Sequence, residues 1–280
     1  MSKLKMNKSP SDTETIYYGP RDDTFKNMIK HLLSSGDIDN KYIELLLSDK
    51  SMFEISKAFT SKTADTINNL EVYEQLGDLS ANKFIVWYMY KRFPHLKTPE
   101  GVKVVARLRI NYGAKQSFYK IAEKLGFWKF ISGAESERAK RKKHLLEDAF
   151  EAFIGCIEFL LDDIFMPGVG YNIVYNILSS IFNDMDISLK YENLYDAKTR
   201  LKELFDFNKK LGVIQYKDSL TDEGKRISIV YSKQNNNMIE LGRGIANIKP
   251  DSQQQAAKCA LKFLKDRGFS KPIPDFYKEF

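Results

Sequence analysis

Two pairs of carboxylates are set apart by their spacing. In the stretch Leu70 to Phe93, LEVYEQLGDLSANKFIVWYMYKRF, Glu74 and Asp78 lie four residues apart at the head of an apolar run. On a helix of about 3.6 residues per turn that interval puts both on one face, one turn apart. On a polar helix such a pair is ordinary solvated surface. Here Leu76, Phe84, Ile85, Trp87, Tyr88, Met89 and Tyr90 predict a helix buried nearly all round. Acids at the mouth of such a helix need a partner, and a metal ion is one candidate. The second pair is Asp148 and Glu151, three apart in HLLEDAFEAFIGCIEFLLDDIF. Its apolar positions are expected at Leu146, Ala149, Phe150, Phe153, Ile154, Ile157, Leu160 and Leu161. Two acid-bearing helices of the same construction are harder to read as surface than one.

The elements that must position these acids read as helices. Residues 24–36, 41–47, 52–59, 100–111 and 114–125 have helical spacing, and VGYNIVYNILSSIF closes the region. Phe127, Trp128 and Phe130 read as core aromatics rather than a cofactor box. The segment ESERAKRKK crowds Arg138, Lys140, Arg141, Lys142 and Lys143 into a short polar stretch, which fits a contact with a polyanion and a solvated loop equally. NDMDISLKYEN reads as a linker. From Asp196 the texture changes. Asp196 caps a helix over AKTRLKELFDFN, then LGVIQYKD, RISIVYSK and MIELGRGIA alternate as strands between the turn signals DEGK and QNNN. SQQQAAKCALKFLKDRG ends the module as a helix, giving a small α+β unit.

The formal net charge is +7, and residues 191–280 hold 17 Lys and Arg against 12 Asp and Glu, so most of the excess lies there. A basic last third beside a near-neutral part that carries the acids points to one half holding a polyanion and the other acting on it. The N-terminus lacks an apolar signal, so an intracellular protein without a membrane segment is expected. Cys156 and Cys259 sit in apolar helical patterns and read as reduced packing residues. Without a Cys/His cluster a zinc site is not expected.

The acid-bearing helices resemble the ribonuclease III family. LEVYEQLGD at Leu70–Asp78 is similar to the family signature N-E-x-L-E-F-L-G-D, and DAFEAFIG from Asp148 to Gly155 matches D-x-x-E-A-x-x-G. The intervening EGVKVVARLRINYGAKQSFYKIAEKLGF looks like the family's middle helices. The last module is similar to a double-stranded-RNA-binding domain in its KTRLKELF helix, three strands, GRG and AAKCAL. The resemblance implies an all-α nuclease domain over residues 19–184, after a disordered start at 1–18. A linker at 185–194 then leads to a small α-β-β-β-α double-stranded-RNA-binding domain at 195–270, with a tail at 271–280.

The implied activity is Mg²⁺-dependent endonucleolytic cleavage of both strands of duplex RNA, leaving 5′-phosphate and 3′-hydroxyl ends. Glu74, Asp78, Asp148 and Glu151 carry over as catalytic and metal-binding acids, with Asp78 and Glu151 as the direct ligands. Mg²⁺ prefers oxygen donors and keeps several waters, so four acids without His or Cys suit it, and Mn²⁺ can substitute. Like charges at one site also disfavour a purely structural cluster. The family's homodimer would place Leu76, Gly77 and Phe84 near its two-fold axis. Duplex RNA is read by phosphate and 2′-hydroxyl contacts, for which Lys198, Lys202, Arg243 and Lys249, with Arg141 and Lys142 in the earlier run, are the expected cations.

The chain departs from the family at Gln75, usually Phe, and Leu70, usually Asn. Pro250 and Gln253 stand where further cations of the last helix would be, which predicts weaker, less salt-sensitive binding by that module. These departures keep an alternative open, a non-catalytic duplex binder on the same fold. A helical hydrolase of another phosphate ester is a third reading.

Overall fold

Capping residues cut the first part of the chain into helices. Asp22 accepts from the Thr24 amide at 3.0 Å and opens α1 (Asp23–Ser35). Asp39 opens α2 (Asn40–Leu46), and Ser48 opens α3 (Asp49–Lys57). Then come α4 (Glu71–Arg92), α5 (Pro99–Tyr112), α6 (Lys115–Lys124), α7 (Glu135–Ile164) and α8 (Val169–Asn183). At α5 Thr98 caps and Pro99 occupies the first turn, where its missing N–H costs nothing. This computed structural model describes residues 14–113, 115–234 and 237–279, and falls into two units, Met1–Asp186 and Ile187–Phe280.

The spine of the first unit is the pair α4 and α7. At Gly77 a Cβ would overlap the carbonyl of Glu151, and at Gly155 one would overlap the carbonyl of Tyr73, so each helix presses glycine against the other's backbone. Ser80 on α4 donates a hydrogen bond to Glu158 on α7. Around the pair the core is aromatic. Phe59 meets Phe25 at 5.1 Å and Phe127 at 4.8 Å between ring centroids, and Phe84 meets both Tyr88 and Phe182 at 5.1 Å.

Three expectations change in the first unit. The helix expected to be buried nearly all round is α4, yet Val72, Leu79 and Trp87 are 70%, 64% and 58% exposed, so it covers the core with one side only. The basic run 138–143 is part of α7, which bends at Arg141 (φ −121°, ψ 24°), and is not a polar loop. Of the start expected to be disordered, residues 1–13 lie outside the described residues. Ile16 and Tyr17 form β1, paired antiparallel with β2 (Gly133–Ala134). Beside that pair the Arg21 guanidinium donates to the carbonyls of Phe130 (2.6 Å) and Phe59 (3.0 Å), tying three segments together. Partial desolvation lowers its pKa to about 10, so it stays charged.

In the second unit α9 (Tyr191–Leu194) leads to α10 (Ala197–Phe207), capped by Asp196. Strands β3 (Val213–Leu220), β4 (Arg226–Gln234) and β5 (Asn237–Ala246) form an antiparallel sheet in that order, with a bulge at Val230 and Tyr231. Helix α11 (Lys249–Lys265) starts three residues before the expected Ser252, because Pro250 suits a first turn. Leu201, Leu204, Val230, Leu241, Ala256, Ala260 and Leu264 make its core. Cys156 is buried as expected, whereas Cys259 is exposed. No helix among the described residues is long and apolar enough to cross a membrane.

Candidate functional site

The glycine contacts between α4 and α7 bring the acid-bearing faces together. Glu74, from the first turn of α4, and Asp148 and Glu151, from α7, each offer a carboxylate oxygen within 4.8 Å of the others. Asp78 stands apart from this triple. It is exposed, and its Oδ1 accepts from the Asn82 side-chain amide at 2.9 Å. Asp78 and Glu151 were the expected direct ligands. Asp78 lies outside the triple, yet its charge acts on Glu151 ahead of those of Glu74 and Asp148.

Glu151 is the electrostatic centre. It is only 6% exposed. Burial first, then the charges of Glu147, Asp78, Glu74 and Asp148, push its carboxyl up to about 8. At neutral pH it therefore holds a proton, which relieves the repulsion of the crowded acids. A hard divalent cation would act in the same sense. The donors are all carboxylate oxygens that converge from two rigid helices, and this chemistry fits Mg²⁺ or Mn²⁺.

Glu147 was not singled out from the sequence. It is 4% exposed, one helical turn before Glu151 and on the same face, and is the largest charge acting on it. Its signal was present in HLLEDAFE as an acid four residues before an acid. Arg21 left no comparable signal, since the Phe130 and Phe59 carbonyls it reaches come from distant segments.

The expected dimer residues are placed unevenly. Phe84 is fully buried and Gly77 is pressed on α7, so both are spent inside the unit. Leu76 is half-buried, and the outward side of α4 is formed by Val72, Gln75 and Leu79.

The expected RNA-binding cations are mostly engaged. Arg141 faces Glu137 at 3.2 Å and Lys142 faces Glu123 at 2.7 Å. Arg138 is buried, with its guanidinium 4.0 Å from the ring centroids of Tyr17 and Trp128, and is a packing residue. In the second unit Lys198 donates to Gln253 at 2.6 Å, Lys249 faces Asp218 at 2.8 Å and Arg243 faces Glu240 at 3.5 Å. Lys202 is exposed and lines a groove of about 650 Å³ with Lys198, Lys209, Phe205, Val213 and Tyr216.

Comparison with known proteins matches residues 71–160 to the Ribonuclease III domain model. The chain is 44% identical to a protein of Invertebrate iridescent virus 6 assigned as a ribonuclease 3, over 96% of this chain and 97% of that one. It is 32% identical to the ribonuclease 3 of Lactobacillus acidophilus, over 71% of this chain and 82% of the other. Among solved structures it is similar to the nuclease domain of the ribonuclease III of Campylobacter jejuni, at 27% identity, TM-score 0.43, covering 57% of this chain and 99% of that one.

Proposed function

The chain belongs to the ribonuclease III family, and from that premise we propose that it is an endoribonuclease that cuts double-stranded RNA at the acids of α4 and α7. The observation that carries this reading is the convergence of Glu74, Asp148 and Glu151 within 4.8 Å, from the two segments whose sequences match the family.

A divalent cation, Mg²⁺ with Mn²⁺ as a substitute, supplies Lewis acidity at the phosphate and lowers the pKa of water when bound. Glu74, Asp148 and Glu151 would hold it. Glu151 releases its proton to do so, since a protonated carboxyl is a poor ligand. Glu147, one turn away, sets how readily that proton leaves. Asp78 outside the triple, its Oδ1 held by Asn82, is placed to orient a water or the substrate's phosphate. The glycine contacts of α4 and α7 keep the donors from drifting apart.

The products are 5′-phosphate and 3′-hydroxyl ends. The C-terminal unit serves as the double-stranded-RNA-binding domain, with the Lys198–Lys202 face of α10 against the phosphates. A second copy would dock on the exposed side of α4 at Val72, Leu79 and Trp87, rather than on the buried Gly77 and Phe84.

The test is incubation of purified protein with long duplex RNA and Mg²⁺. Cleavage to 5′-phosphorylated fragments is expected, and it disappears in Glu151→Ala. A wild type that binds duplex without cutting it, or a Glu151→Ala variant that cuts equally, overturns the assignment.

A further inference from the structure

A single carboxylate organises the face that α11 shares with the sheet in the C-terminal unit. Asp218 on β3 lies directly across from Ser228 on β4, so the two side chains share a face. Ser228 Oγ donates to Asp218 Oδ1 at 2.6 Å and is 2.7 Å from Ser252 Oγ of α11. Gln253 Nε2 reaches both carboxylate oxygens at 3.2 Å, and Lys249 Nζ lies 2.8 Å from Oδ2. Gln253 in turn accepts from Lys198 Nζ at 2.6 Å. Asp218 thus engages Lys249 directly and Lys198 through Gln253.

Two consequences follow from this geometry. First, the Lys249 charge is neutralised where it stands. Its side chain is 57% exposed and that of Asp218 is 23% exposed, so the pair meets solvent and a phosphate arriving at Lys249 meets the carboxylate as well. Second, the carboxylate is permanent at working pH. The Lys249 hydrogen bond first, then that of Ser228, hold Asp218 down at about 2. The wider unit repeats the pattern, with Glu223 at 3.0 Å from Lys225 and Glu240 at 3.5 Å from Arg243.

We propose that Asp218 is a built-in competitor for RNA phosphate, which occupies Lys249 and restrains Lys198 through Gln253, and so sets the C-terminal unit's affinity for duplex RNA below what its lysines would give. This rests on the reading that the unit holds duplex RNA. Removing the carboxylate charge frees one cation, and each phosphate newly neutralised steepens the dependence of log affinity on log salt by about one.

The experiment uses the full-length protein in chelator, so that no cleavage occurs. The probe is a blunt RNA duplex of at least about 16 base pairs, the span of such a module. Affinity is measured from low to high salt. Asp218→Asn is expected to bind roughly three- to tenfold tighter at low salt, with a salt slope steeper by about one. Lys249→Ala is expected to lose less than about twofold, since that charge is already neutralised. The double variant should return to wild-type affinity.

Equal or weaker binding by a folded Asp218→Asn protein overturns the proposal, because the carboxylate would then be positioning Lys249 for RNA. If Asp218→Asn does not fold, Lys249→Ala decides alone. A loss of tenfold or a slope shallower by about one counts against the proposal, and near-wild-type binding upholds it. Failure of the wild type to bind duplex at all would instead remove the reading on which the proposal rests.

Discussion

Between α4 and α7, Glu74, Asp148 and Glu151 bring like charges within 4.8 Å, with Glu147 and Asp78 near enough to raise Glu151 further. In the C-terminal unit the charges alternate instead. Lys249 faces Asp218 at 2.8 Å, Lys271 faces Glu203 at 2.8 Å, and Arg243 faces Glu240 at 3.5 Å. The first arrangement costs folding free energy and makes sense when a cation joins it. The second costs little and contributes little, since exposed pairs are worth about 0–1 kcal/mol. A net charge summed over a region therefore does not report the cations available to a ligand. The excess of 17 basic over 12 acidic residues across 191–280 is in part absorbed by pairing.

Four changes break or sharpen this contrast. The largest effect is expected at Glu151, where replacement by Gln should lower metal-dependent cleavage by at least about a hundredfold while leaving duplex binding in chelator unchanged. Single-turnover cleavage and a binding assay on one preparation separate the two. Next is Gly77→Ala, which forces a methyl group into the Glu151 carbonyl. We expect a loss of about 1–3 kcal/mol in stability, read by denaturant unfolding, with weaker metal binding.

The third change is pH. Glu151 titrates near 8 in the folded chain against an ordinary 4.5, so folding takes up a proton between these values. In metal-free protein the stabilisation from the protonated form is complete below about 4.5 and is lost as pH rises through about 8. The fall is at most about 1.4 kcal/mol per pH unit. Metal binding runs the other way. It should tighten as pH rises to about 8 and release close to one proton per ion at neutral pH, measurable by calorimetry in buffers of different ionisation enthalpy. A flat metal affinity from pH 6 to 8 would remove the raised Glu151 from the account.

The smallest effects are expected from the neighbouring acid Glu147 and from the paired cations. Glu147→Gln should move the pH dependence of metal binding to lower pH by under about one unit. Arg243→Ala or Lys142→Ala should change stability by less than about 0.5 kcal/mol, since each breaks only an exposed pair.

Much of the architecture was legible because helical and strand periodicities are local. The helix from Leu70, the acid-bearing helix through Asp148 and the three strands after Asp196 all occur where apolar spacing put them. The start of α11 shifted because Pro250 is welcome in a first turn, a local fact that the apolar pattern does not carry. Trp87 and Leu79 misled because apolar residues do not declare whether their own chain covers them. The basic run misled because its partners Glu123 and Trp128 come from segments before α7.

By itself the sequence determined which residues could do chemistry, namely four acids at helical spacing in two segments whose pattern matches a family. Spacing along a helix fixes the face on which a side chain lies, and that is a property of the chain alone. The tertiary structure decided which acids meet. The contacts of Gly77 and Gly155 set the depth and register of α4 against α7, so Asp148 joins Glu74 and Glu151 while Asp78 remains outside the triple. It also decided which cations are occupied, because the Asp218 that holds Lys249 comes from a strand thirty-one residues away and reaches it only once the sheet has formed.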